Sequence, residues 1–361
     1  MAERFGPGDF VHNFMLPDVL GQTTGLFTHS RGNPMVLIFV TAHHPRNLEA
    51  FARRAAQFRG VDLFIVTRLS PAENQALANQ VVLPWGVLSD AGGSVFAAYA
   101  GEDAPLTTYV LDRGLRVAAL TRDGDGTAQA EATLAALAAM GAPDAAQEVV
   151  SPAPVLLLPR AIEPDFCREM IDTWHAQETF YSGGHDSLSD RDSDYGAGVK
   201  VSKVRRDLEI TDPVLQKRLA LAFGRRIVPA VAKAFSFETR RTTGFKIGRY
   251  GGEKGGYFRP HRDNTTKGTA HRRFAVTINL NAEDYEGGDL RFPEFGPRTY
   301  RAPTGGAVVF ACSLLHEALP VTKGKRYAFL PFLYDDAAAK IREANLKFVA
   351  PKDAEDDAGA G

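Results

Sequence analysis

Through the first 140 residues, short runs of apolar, β-branched and aromatic side chains alternate with helical stripes. Residues 34–40 (PMVLIFV), 61–67 (VDLFIVT) and 108–112 (TYVLD) have the length and composition of buried strands. Between the first two, LEAFARRAAQF puts Leu48, Phe51, Ala55 and Phe58 along one face of a helix. Strand, helix, strand in that order predicts a parallel unit with a covering helix. Residues 129–140 (QAEATLAALAAM) predict an Ala-rich helix stopped by Gly141 and Pro143. The Ala-, Pro- and acid-rich stretch that follows, to Pro154, predicts a linker.

The pattern changes beyond it. VLLL (155–158) reads as a short strand, and EPDFCREMIDTWHAQ as a helix with Phe166, Met170, Ile171 and Trp174 on its apolar face. Residues 182–198 (SGGHDSLSDRDSDYGAG) have no period, which predicts a loop that closes over a site. Residues 213–235 predict a helix packed through Leu215, Leu219, Phe223, Ile227, Val231 and Phe235, and bent at Pro229. After residue 237 come GFKIGRY, RRFAVTINLN, GGDLRFPEF, AVVFA and RYAFLPFLY, joined by Gly- and Pro-containing turns. That succession predicts an antiparallel barrel or jelly-roll body. A helix and an acidic, Gly-ending tail follow Asp336.

At 361 residues the chain exceeds what one hydrophobic core usually serves, so two domains are expected. The 42 basic and 43 acidic residues nearly cancel, and neither half has the positive excess that nucleic-acid binding requires. Cys167 and Cys312 are the only thiols, so no disulfide framework holds the fold. The N-terminus has no basic-then-apolar leader, and no apolar run approaches the roughly 18–20 residues of a membrane span. A soluble, cytoplasmic protein is expected.

One stretch carries chemistry. In Tyr257-Phe258-Arg259-Pro260-His261-Arg262-Asp263, the histidine-to-carboxylate spacing of two sends His261 and Asp263 to the same face of an extended segment. Two imidazoles and one carboxylate are what a non-haem ferrous ion takes when its remaining positions must stay open. His316, on a later strand, is placed to be the third ligand.

Two resemblances sharpen this. Residues 5–49, with Pro7-Gly8-Asp9, Phe14-Met15-Leu16-Pro17-Asp18, Gly21 and the strand ending Phe39-Val40, resemble the opening of the peroxiredoxin and thioredoxin-like redoxin family. Where that family carries its reactive cysteine, this chain has His44-Pro45-Arg46-Asn47. Thiol exchange and peroxide reduction need a thiolate, so the resemblance implies the fold without the chemistry. His43 and His44 read as surface loop residues. The expected role is docking, dimerisation or substrate recognition.

Residues 155–336 resemble the 2-oxoglutarate and Fe(II)-dependent oxygenase superfamily, in its prolyl 4-hydroxylase-like branch. The likeness lies in His261, Asp263, His316 and Arg326, with Gly287-Gly288-Asp289-Leu290, Gly305-Gly306 and Pro320-Val321 around them. It implies Fe(II) on His261, Asp263 and His316, and the 5-carboxylate of 2-oxoglutarate on Arg326. It also implies Tyr250 and Asn279 as further cosubstrate contacts, and ascorbate as the reductant that rescues oxidised iron. Decarboxylation to succinate and CO2 would then be coupled to hydroxylation of a peptide side chain, prolyl or other. A small-molecule substrate, and a non-catalytic scaffold or sensor, are the alternatives. The expected architecture is an α/β thioredoxin-like fold (1–142), a linker (143–154), a double-stranded β-helix or jelly roll with flanking helices (155–336), and a helix with a tail (337–361). A homodimer through the N-terminal domain is left open; no membrane partner is expected.

Overall fold

The computed structural model describes the chain except residues 1–3, 31, 42–45, 102–104, 123, 143–144, 146–147, 178, 182–202, 253–254 and 349–361. The loop 182–198, His43, His44 and the acidic tail therefore lie outside the described residues. The chain divides into two compact units, Met1–Ala146 and Gln147–Gly361.

In the first unit a five-stranded sheet runs in the order Gly86–Ser89, Asp62–Thr67, Met35–Val40, Leu106–Leu111, Val117–Thr121. The first three strands are parallel, and the last two join antiparallel. Met35–Val40 is buried throughout because both of its faces are covered. Met35, Leu37 and Phe39 enter one core, while Val36, Ile38 and Val40 enter the other with Leu48, Phe51 and Phe58 of the covering segment. Burial of each such side chain contributes about 1.5–3 kcal/mol. The single helix expected over 48–58 is two pieces, an α-helix Arg46–Ala52 and a 3-10 turn Ala55–Phe58. The apolar stripe is kept, since Leu48, Phe51 and Phe58 are all buried. The third strand starts two residues before the expected Thr108, at Leu106. Among the described residues this is the thioredoxin-like α/β arrangement, with Leu26–His29, Pro71–Val81, Ser94–Tyr99 and Gly126–Ala139 as its other helices.

The second unit is built on a larger and a smaller antiparallel sheet. The larger runs Arg241–Thr243, Phe332–Tyr334, Phe274–Asn279, Val321–Phe329, Lys246–Gly251, Arg206–Glu209, Phe180–Tyr181, with Ala307–Ala311 also paired to Phe274–Asn279 and Val155–Leu158 paired to Ala307–Ala311. The smaller runs Phe258–His261, His316–Ala318, Leu290–Arg291, Thr299–Tyr300. Alternation decides which side each residue takes. Ile247, Val276, Ile278, Tyr327 and Phe329 pack outward against Phe166, Met170, Trp174, Leu219 and Val231 of the helices. Ala275, Val308 and Phe310 face inward, against Leu290 and Phe292 of the smaller sheet.

The expected helix 213–235 also forms, but Pro229 leaves its mark earlier than a simple bend. Proline removes a backbone donor and crowds the carbonyl four residues back. The chain accommodates this with a π turn, Phe223–Ile227, between Pro213–Ala222 and Val228–Phe235, so that Val228 N–H reaches Phe223 O.

Candidate functional site

His261 ends the strand Phe258–His261 and lies directly opposite His316 in the antiparallel pair. Asp263 follows two residues later, its backbone N–H donating to Cys312 O at 3.0 Å. Register and spacing together put three side chains at one point. Nε2 of His261 is 3.4 Å from Asp263 Oδ1, Nε2 of His316 is 3.4 Å from Asp263 Oδ2, and the three ligand atoms all lie within 4.8 Å of one another.

The histidine tautomers follow from the backbone. Nδ1 of His261 meets Arg259 O at 2.8 Å, and Nδ1 of His316 meets Leu314 O at 3.0 Å. A carbonyl oxygen can only accept, so each Nδ1 carries the proton and each Nε2 keeps its lone pair toward Asp263. Burial alone would raise the Asp263 carboxyl, but the neighbouring His316 and His261 outweigh burial and hold it well below the usual carboxylate range. Burial dominates at His316 and lowers it to about 4, against the pull of Asp263. At neutral pH Asp263 is a carboxylate and His316 a neutral imidazole, and with Nδ1 of both rings turned to a carbonyl each Nε2 faces the point where a divalent ion would sit. This donor set, N, N and O from three residues, suits ferrous iron. Phe258 stacks on the His261 ring at 3.4 Å between centroids, and Phe310 lies 4.5 Å from that of His316.

A cavity joins the cluster to the inner face of the larger sheet, lined among others by Tyr250, Arg205, Leu290, Phe332 and Arg326. Arg326 is 2% exposed. One of its nitrogens, Nη2, donates to Asn279 Oδ1 at 3.4 Å, and its guanidinium lies 5.1 Å from the Tyr250 ring centroid. Among the described residues its Nε and Nη1 are buried and without a hydrogen-bond partner. A buried cation with idle donors is costly, by several kcal/mol, unless an anion completes it. The planar fork suits a carboxylate, so a dicarboxylic cosubstrate fits here. Gly288, at φ +69, makes room for the arginine stem, since a Cβ there would fall 3.2 Å from Arg326 Cδ and 2.8 Å from Val321 Cγ2.

Tyr250, Asn279 and the other residues around the site fall as follows. Tyr250 is buried in the cavity wall, and its hydroxyl accepts from Arg205 Nη1 at 3.1 Å. Asn279 is also buried, but its carboxamide is spent on Ala302 O at 2.7 Å and on Arg326, so it braces the guanidinium from behind. Arg262 points away from its two neighbours, onto Glu294 at 2.7 Å and Ser313 O. Arg272 lies over the Phe332 ring at 4.0 Å, and Arg259 over Tyr257 at 5.5 Å. Cys312 is buried, and its thiol is pushed well above its ordinary value by burial first and by Asp263 second. Arg205 is the residue that sequence reasoning missed. Its neighbour Asp207, two positions on, was the available signal, because an Arg and an Asp spaced by two on an extended segment share a face and can pair.

Comparison with known proteins fits this architecture. Residues 245–334 match the family model of the 2OG-Fe(II) oxygenase superfamily, and residues 7–119 match that of the AhpC/TSA family. The chain thus carries a 2OG-Fe(II) oxygenase-like C-terminal domain joined to a cysteine-free AhpC/TSA-like N-terminal domain. A PKHD-type hydroxylase of Verminephrobacter eiseniae is 33% identical over 91 residues, which are 23% of this chain and 40% of that protein. The chain therefore matches well under two thirds of that relative's length. Among solved structures, a Pseudomonas putida prolyl-4-hydroxylase covers 50% of this chain and 92% of its own, at 16% identity and a TM-score of 0.37. Peroxidoxin BcpB of Mycobacterium tuberculosis covers 38% and 100%, at 25% identity and a TM-score of 0.35.

Proposed function

We propose that the C-terminal domain is an Fe(II)- and 2-oxoglutarate-dependent hydroxylase acting on a side chain of a peptide or protein. The observation that carries this reading is the pairing of two half-sites across one cavity. At one end stand three metal ligands with their protons already arranged; at the other is a buried guanidinium with two idle donors. His261, Asp263 and His316 would hold the iron, and Arg326 the 5-carboxylate of 2-oxoglutarate. When bound, the pair supplies the oxidation: dioxygen and 2-oxoglutarate become succinate and CO2 as a substrate C–H becomes C–OH.

The chain's own part is positioning. The two backbone carbonyls fix the imidazole tautomers, so neither ring must reorganise when a metal enters. Asn279 fixes Arg326 from the side away from the cavity, leaving Nε and Nη1 to set the register of the ligand. Phe258 and Phe310 shield the imidazoles from water. Ascorbate is proposed as the reductant that restores ferrous iron after a turnover without substrate. The N-terminal domain is read as a docking, dimerisation or recognition module, and a cytoplasmic location is proposed from the two reduced, buried thiols.

Succinate release from Fe(II)-loaded protein, screened over peptides and small metabolites, tests the proposal. Peptide-stimulated release that is lost in His261→Ala supports it. Release stimulated only by small molecules would replace the peptide reading, and no release with any candidate would favour a scaffold.

A further inference from the structure

Three neighbouring strands place a row of side chains along the cavity wall. Tyr250 is opposite Arg326 in one antiparallel pair, and Arg206 is opposite Arg249 in the next. One step before Arg206, Arg205 is level with Tyr250. Ile247, Tyr327 and Phe329 belong to the helix-side core, so alternation turns Tyr250 and Arg326 to the opposite face, where all three residues of the row line the cavity.

The two arginines of the row are in different states. Arg326 keeps idle donors, whereas Arg205 is fully engaged. Its Nε and Nη2 donate to Asp207 Oδ1 and Oδ2 at 2.5 and 2.7 Å, and its Nη1 donates to the Tyr250 hydroxyl at 3.1 Å. Side-chain exposure is 12% for Arg205 and 4% for Asp207, so this is a buried, two-pronged pair. The sheet is shaped to admit it. A Cβ on Gly248 would fall 2.8 Å from Arg205 Cδ, so the stem passes over a position that has no side chain.

With the charge of Arg205 answered by Asp207, its remaining effect is on the phenol. A phenol oxygen accepts through its lone pairs and donates one proton. Arg205 Nη1 occupies an acceptor position of Tyr250, and no protein acceptor takes the Tyr250 proton among the described residues. The proton is left to point into the cavity, beside the idle donors of Arg326.

Resting on the hydroxylase reading above, we infer that Arg205, locked by Asp207, is a positioning residue: it orients the Tyr250 phenol as a donor to the 2-oxoglutarate carboxylate end held by Arg326. Arg205 does this without touching the cosubstrate. The row then works as a unit in which the outer guanidinium aims the phenol and the inner one binds.

Calorimetric titration of 2-oxoglutarate into Ni(II)-loaded protein tests this without turnover. The variants are Tyr250→Phe, the paired replacement Arg205→Met with Asp207→Leu, and the three substitutions combined. Replacing both members of the ion pair avoids leaving one buried charge alone. Loss of one hydrogen bond to a charged group predicts about tenfold weaker binding for Tyr250→Phe. The paired replacement should come close to that loss, the combination should be no weaker than Tyr250→Phe alone, and Ni(II) affinity should not change. Two losses that multiply in the combination, or a paired replacement with wild-type affinity, would overturn the inference. Failure of the wild-type protein to bind 2-oxoglutarate at all would instead remove the hydroxylase reading beneath it. Should the paired replacement lack a cooperative melt, Arg205→Lys carries the same expectation and the same refutation, because an ammonium can stay on Asp207 but cannot also reach the phenol.

Discussion

Arg326 and Asn279 divide one task, and substitution should separate their shares. Arg326→Ala removes both idle donors, so 2-oxoglutarate binding to metal-loaded protein should weaken about 10- to 100-fold, as expected for hydrogen bonds between charged groups. Metal content should stay unchanged, because the ligands are on the other sheet; equal loss of metal, measured by elemental analysis, would assign Arg326 to the metal site. The metal ligands themselves were legible because His261 and Asp263 are two apart and their chemistry is local. The place of Arg326 in the cavity wall was legible only through family resemblance. Asn279 was found but its orientation was not, since a carboxamide in an apolar strand announces a need for partners without naming them. Arg205 escaped because its adjacency to Tyr250, 45 residues away, exists only through sheet register.

Elements were easier to read than their ends. The strand Phe274–Asn279 announced itself by β-branched and aromatic content, and its alternation correctly separates residues for the helices from residues for the interior. The helix over 48–58 and the π turn before Pro229 were not legible in detail, because apolar spacing survives a local change of helix type. Turns carry much of the precision. Gly305 has φ +76, and a Cβ there would lie 2.4 Å from Ile162 O, a backbone atom that cannot swing aside. Gly305→Ala should therefore destabilise the second unit by about 1–3 kcal/mol, from the left-handed backbone alone and before any clash is counted. Urea unfolding would measure it, and a midpoint equal to wild type would mean that the turn relaxes freely.

At the scale of the molecule, two units with separate cores, and a proposed ligand site in the second, predict separable behaviour. Ni(II) with 2-oxoglutarate at a hundred times its Kd should stabilise the unit that binds it by about 2.7 kcal/mol. A calorimetric melt should then show one transition moving up and another staying where it was; equal movement of both would mean that the units unfold as one. Two domains, and the absence of thiol chemistry from the first, were legible from length and from the positions of Cys167 and Cys312. The contribution of the first domain was not, because a sheet buried on both faces records packing rather than partners. The whole account depends on iron and a dicarboxylate sharing one cavity, and an anaerobic absorption titration of Fe(II)-loaded protein with 2-oxoglutarate tests that most directly. A weak visible metal-to-ligand charge-transfer band that saturates at a single equivalent, and is lost in His261→Ala, is the predicted result. Iron-loaded, folded protein that takes up 2-oxoglutarate without any such band, or takes up none, would contradict it.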